Sequence, residues 1–156
     1  MQRTALLLSL LLGSPWVLAE TATGRVFVDE NRNGQLDASE VGLPNVRVSN
    51  GADVVLTDGD GRYRIAVDEQ TVIFITKPSN YAIPVNKHML PQFYYIHQPK
   101  GSPKSMRYAG IEPTGQLPDE INFPLIVRPE EKKFEAILFA DTQPQTTREL
   151  DYIRDD

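Results

Sequence analysis

Hydrophobic and polar residues alternate with a period of two along much of the first half of the chain, the pattern of strands with one buried face. Val26 and Val28 alternate with Arg25 and Phe27, and Val46 and Val48 with Arg47 and Ser49. Asn50-Gly51 follows, a pair that tolerates the positive φ angles of a two-residue type I′ turn, so Asp53 to Thr57 is expected to return as a third strand. After Asp58-Gly59-Asp60-Gly61, Tyr63, Ile65 and Val67 share one face of a fourth strand. The two aspartates there suit Asx turns better than a second cation site. Thr71 to Thr76 is apolar at both parities, as in a central strand covered on both faces, and Asn122 to Val127 restores strand character near the end. Short strands, each bounded by its own turn residues, predict a mainly β fold, an antiparallel β-sandwich over residues 20–128.

Between Pro78 and Glu120 the character changes. Seven of the twelve prolines fall there, which excludes long regular elements. Phe93-Tyr94-Tyr95-Ile96, Met106 and Tyr108 are nevertheless too apolar for a disordered linker. An irregular, ordered excursion with a short strand near Phe93 is expected. His88 and His97 lie within it, nine residues apart and without a carboxylate cluster, which favours hydrogen bonding over metal ligation. Beyond the polar Arg128 to Lys133, residues 129–156 read as a linker and the opening of an α/β domain. Phe134 to Ala140 predicts a buried strand ending at Asp141, and Thr146 with Glu149 forms a capping-box pattern for a helix.

Asp29 to Glu40 stands out from the strands around it. Ca²⁺ takes six to eight oxygen ligands, and a twelve-residue loop supplies them from positions 1, 3, 5, 7, 9 and 12. Those positions hold Asp29, Asn31, Asn33, Gln35 (by its backbone carbonyl), Asp37 and Glu40, with Gly34 at the sharp turn of position 6. The pattern predicts a calcium site, carried between strands because Gly42-Leu43-Pro44 breaks any helix after it. A solvated Asn/Asp/Gly turn is the alternative, although such a turn has no need of a glutamate at position 12.

Residues 1–19 have the form of a signal peptide: Arg3, an apolar run from Ala5 to Leu12, and a small-residue cleavage site at Val17-Leu18-Ala19. The mature chain is expected to begin at Glu20 in a periplasmic or extracellular setting, with no membrane span after cleavage. With no cysteine, stability there must come from the core and the ion. A net charge of −5 with no run of basic residues gives no support for nucleic-acid binding.

Gly24 to Glu40, Gly42 to Val48 and Thr57 to Tyr63 together resemble the prealbumin-like B-type modules of bacterial surface proteins, which implies a prealbumin/Ig-like sandwich with calcium in the loop. The chain from Glu20 onward resembles the amino-terminal region of secreted calcineurin-like metallophosphoesterases, through Phe93 to Pro103, Gly115 to Leu125 and Phe139-Ala140-Asp141-Thr142-Gln143. That resemblance implies that Asp141 is a metal ligand of a hydrolase and that Gln143 stands where the family usually has histidine. It also implies a divalent metal pair that this chain does not assemble, because the later ligand motifs are absent from it. On this reading the chain is a truncated fragment, the non-catalytic accessory domain, inactive without its catalytic phosphoesterase domain. The competing reading is a stand-alone surface or periplasmic module that binds through Phe93 to Tyr95.

Overall fold

The structure, a computed structural model, describes residues 20–136, 138 and 143–155. The expected leader (1–19) lies outside the described residues. Among the described residues, eight strands and one helix follow in order: β1 (Glu20–Val28), β2 (Arg47–Ser49), β3 (Val54–Leu56), β4 (Arg62–Val67), β5 (Thr71–Ile75), β6 (Tyr81–Ala82), β7 (Tyr94–His97), β8 (Phe123–Val127) and α1 (Thr147–Asp155). The strands form two four-stranded sheets, ordered β4-β1-β8-β6 and β3-β2-β5-β7, and the expected mainly β sandwich is what is found.

The alternation in the sequence is the alternation in burial. Ala22 and Val26 of β1, Tyr63, Ile65 and Val67 of β4, and Phe123 and Leu125 of β8 enter one core with Val48 of β2 and Ile73 and Ile75 of β5. Each such side chain withdrawn from water contributes about 1.5–3 kcal/mol before conformational entropy is counted. The outward residues of β4 are exposed throughout.

Four details differ from the sequence expectation. The sheet is not wholly antiparallel: β8 runs parallel to β1, with Val26, Phe27 and Val28 opposite Phe123, Pro124 and Leu125. Asn50-Gly51 does not form a two-residue turn. Only Gly51 of the pair has positive φ (93°), and the Asn50 side-chain oxygen instead accepts from the amides of Ala52 and Asp53, making a four-residue connection. β5 is central in its sheet, yet Val72 on its outer face is 41% exposed. Ile96 and Tyr94, opposite Val72 and Phe74, flank the outward side chains in place of full cover on that face. Finally, the strand expected over 134–140 is absent at its described residues, and Phe134 and Leu138 are 81% and 92% exposed. A lone segment with no neighbour to pair with cannot satisfy its backbone as a strand. The helix beyond it forms as expected, with its capping box closed in both directions between Thr146 and Glu149.

The excursion contributes β7 and also the two-residue β6, which pairs with the end of β8. Asn80, at φ 63°, turns the chain into β6, and its backbone carbonyl accepts from the Arg128 amide at 2.9 Å. Lys77 Nζ lies 3.3 Å from a Glu130 carboxylate oxygen. His88 is exposed, whereas His97 is fully buried, its Nε2 3.6 Å from a Glu20 carboxylate oxygen.

Tyr63 ties the two ends of the domain together. Its ring stacks on Phe123 at 6.1 Å, and its hydroxyl donates to the Ile121 carbonyl at 2.7 Å. Burial pushes the phenol well above its ordinary value of 10.0. The neutral hydroxyl is the donor, so this stabilisation is whole below about pH 10 and is lost as pH rises through the higher folded-state value. Tyr63→Phe is expected to cost about 1–2 kcal/mol at neutral pH, the price of one buried acceptor left unpaired, and to flatten the alkaline limb of stability. Urea melts at pH 7 and pH 11 measure both effects.

Candidate calcium loop

The loop is held at its base by the sheet. Val28 N–H donates to Val41 O at 2.9 Å, Leu43 N–H to Val26 O at 2.8 Å and Asp29 N–H to Leu125 O at 2.9 Å. Entry and exit are therefore fixed on β1, and Asp29 is set at the end of the β1–β8 pair. Gly42 sits so close beneath the 58–61 turn that an added Cβ would lie 1.8 Å from Asp60 O, which explains a glycine at the exit.

Within the loop the predicted ligands are organised by backbone amides. Asp29 Oδ1 accepts from Asn33 N–H (3.1 Å) and Oδ2 from Gly34 N–H (2.9 Å). Asn31 Oδ1 accepts from Asn33 N–H (3.0 Å) and Asn33 Oδ1 from Gln35 N–H (2.7 Å). Glu40 Oε1 and Oε2 accept from Glu30 N–H and Asp37 N–H. Gly34 turns at φ 73°, the left-handed conformation that its place in the loop requires. Oxygens from positions 1, 3, 5 and 12 thus bind the loop's own N–H groups and draw it into a closed turn.

Asp29 is 2% and Glu40 8% exposed. Carboxylates are rarely buried so far without a positive partner, yet none of Asp29, Asp37 and Glu40 pairs with a basic side chain among the described residues. The Asp37 carboxylate is occupied by amide donors, accepting from Asn31 Nδ2 at 2.8 Å and Asn33 Nδ2 at 2.9 Å. The three carboxylates are not gathered at one point: no three His, Cys, Asp or Glu side chains among the described residues stand close enough to hold a metal ion. The donor chemistry fits Ca²⁺. To chelate it, Asn31 and Asn33 would exchange their bonds to Asp37 for oxygen contacts with the ion.

Of the other predicted ligands, Asp141 lies outside the described residues, and Gln143 is exposed just ahead of α1. The structure therefore winds the six loop residues into one closed turn without converging their carboxylates on a single point.

Fold and loop define a small β-sandwich module closed over an oxygen-rich loop at one strand end. A family model described as the N terminal of calcineurin-like phosphoesterase matches residues 30–110, just over half of the 156-residue chain. The chain belongs to this family. No curated protein matches it, and no solved structure does. The matched stretch begins inside the loop and runs through β7, whereas β1 and β8, which build the middle of one sheet, lie on either side of it. No helix among the described residues is long and apolar enough to cross a membrane.

Proposed function

We propose that residues 20–128 form the non-catalytic accessory domain of an exported calcineurin-like metallophosphoesterase, a prealbumin-like sandwich stapled by one structural Ca²⁺. The observation that carries the reading is the family match over residues 30–110, inside a sandwich whose core is built before the Asp141–Gln143 motif is reached. Phosphoester hydrolysis by a two-metal site needs ligands that hold both ions about 3.5–4 Å apart. Asp141 and Gln143 alone do not supply such a set, so the chemistry belongs to the phosphoesterase domain that is this module's partner.

For the staple, Asp29, Asn31, Asn33, Asp37, Glu40 and the Gln35 carbonyl would hold the ion. It would supply the positive charge that the two buried carboxylates lack. The support is their burial together with a loop backbone already wound around them.

The test of the accessory role is an aryl-phosphate assay on the purified chain with Mn²⁺ or Zn²⁺. Release no faster than a metal-only blank is expected. Turnover above that blank, abolished by Asp141→Ala, would overturn the non-catalytic reading.

A further inference from the structure

Arg25 of β1 meets Arg62 and Arg64 of β4 on the outer face of the first sheet. The β1–β4 register sets Arg25 directly opposite Arg62 and Thr23 opposite Arg64, so Arg25, Arg62 and Arg64 occupy adjacent outward positions and line one shallow groove. Like charges directly opposite each other on a sheet are destabilising. A pair retained in this position therefore needs another source of compensation.

Of the three, Arg62 alone has an acidic partner among the described residues, Asp60 at 2.7 Å. The guanidinium groups of Arg25 and Arg64 make no ion pair or hydrogen bond among the described residues. Two carboxylates border the same groove, each with one oxygen hydrogen-bonded to amide donors and neither ion-paired with Arg25 or Arg64. Asp58 Oδ1 accepts from the Asp60 and Arg62 amides at 3.0 and 2.8 Å, and Glu120 Oε2 accepts from Asn122 Nδ2 at 3.1 Å. Asn122 in turn fixes β1, its Oδ1 accepting from the Arg25 amide at 2.7 Å.

We propose that this groove is an oxyanion site that takes the phosphate group of a phosphoester, held between Arg25 and Arg64 with Arg62 at its edge. Planar guanidinium groups suit bidentate contact with phosphate oxygens, and a bound anion would offset the repulsion across the β1–β4 pair. The choice of phosphate over other oxyanions rests on the phosphoesterase reading above; the site itself does not.

The experiment is titration of the purified chain with inorganic phosphate and with phenyl phosphate, followed by amide NMR shifts and calorimetry at low salt, with acetate as the control anion. Saturable shifts at Thr23, Arg25 and Arg64 are expected for both phosphates, with acetate at least about tenfold weaker. Arg25→Gln and Arg64→Gln are each expected to weaken binding about five- to tenfold, whereas Arg47→Gln on the other sheet leaves it unchanged. Asp60→Asn, which releases Arg62, is expected to tighten it. Phosphate shifts that do not saturate, or that survive Arg25→Gln and Arg64→Gln in folded protein, would overturn the site. Absence of binding alongside absence of turnover removes this site and leaves the accessory role standing; turnover removes the accessory role whatever the arginines bind.

Discussion

Gly24→Ala is expected to lower stability by at least about 3 kcal/mol, at or beyond the upper end of ordinary overpacking. Glycine in a strand marks close approach of another backbone. Here an added Cβ would lie 1.8 Å from the Ile121 carbonyl oxygen and 2.6 Å from its carbon. The Ile121 peptide cannot step aside cheaply. Its N–H donates to Thr23 O at 2.8 Å, and its oxygen receives the Tyr63 hydroxyl at 2.7 Å. Relief of the clash would break one or both bonds, each worth about 1 kcal/mol, and would separate Tyr63 from Phe123. In a domain of this size the melting temperature should fall by about 12 °C or more. Gly59→Ala is the control: nothing lies within 4 Å of its added Cβ, and a change within about 0.5 kcal/mol is expected. Equal melting temperatures for the two variants would mean that β1 and the segment before β8 do not approach as described.

Calcium is expected to have the next largest effect. At about 100 times its Kd, the ion should add about 2.7 kcal/mol to stability through binding the folded state alone, read as a higher melting temperature in Ca²⁺ than in chelator. Glu40→Gln should abolish that difference. It should also cost about 1 kcal/mol in chelator, because both Glu40 oxygens accept backbone N–H groups and an amide retains one acceptor oxygen. Calorimetry without a binding heat, with melting unchanged by chelator, would reduce the loop to an Asx-rich turn.

Much of the sandwich is legible in the chain because burial imposes the period of two. Tyr63, Ile65 and Val67 face inward as their spacing requires, and the Thr146–Glu149 cap is readable from residue type alone. The closed turn of the 29–40 loop is also legible, since the left-handed Gly34 and the side-chain oxygens of Asp29, Asn31 and Asn33 that accept backbone N–H groups each demand a particular residue type. What local pattern cannot show is what arrives from far away. β6 is two residues between prolines, and it becomes a strand only because Asn80 turns it onto β8. The groove of Arg25, Arg62 and Arg64 exists through register, so no run of basic residues announces it. Gly24 looks like an ordinary strand-start glycine until Ile121, 97 residues later, is laid against it. Phe134 and Leu138 show the converse: an apolar run predicts burial only where the chain provides something to bury it against.

The parallel contact of β1 with β8 has a consequence for how the domain comes into being. One edge of β1 can be paired early by β4, but the other stays bare until residues 123–127 have been synthesised. The stretch that carries the family signature, 30–110, is therefore not an autonomous folding unit, since it lacks both partners of that contact. Closure is a late, long-range event, of the kind that makes folding slow. A nascent chain must travel through most of its synthesis with a half-built sheet, and a piece cut at the signature's own limits would keep β4 without its partner β1 and aggregate through that bared edge.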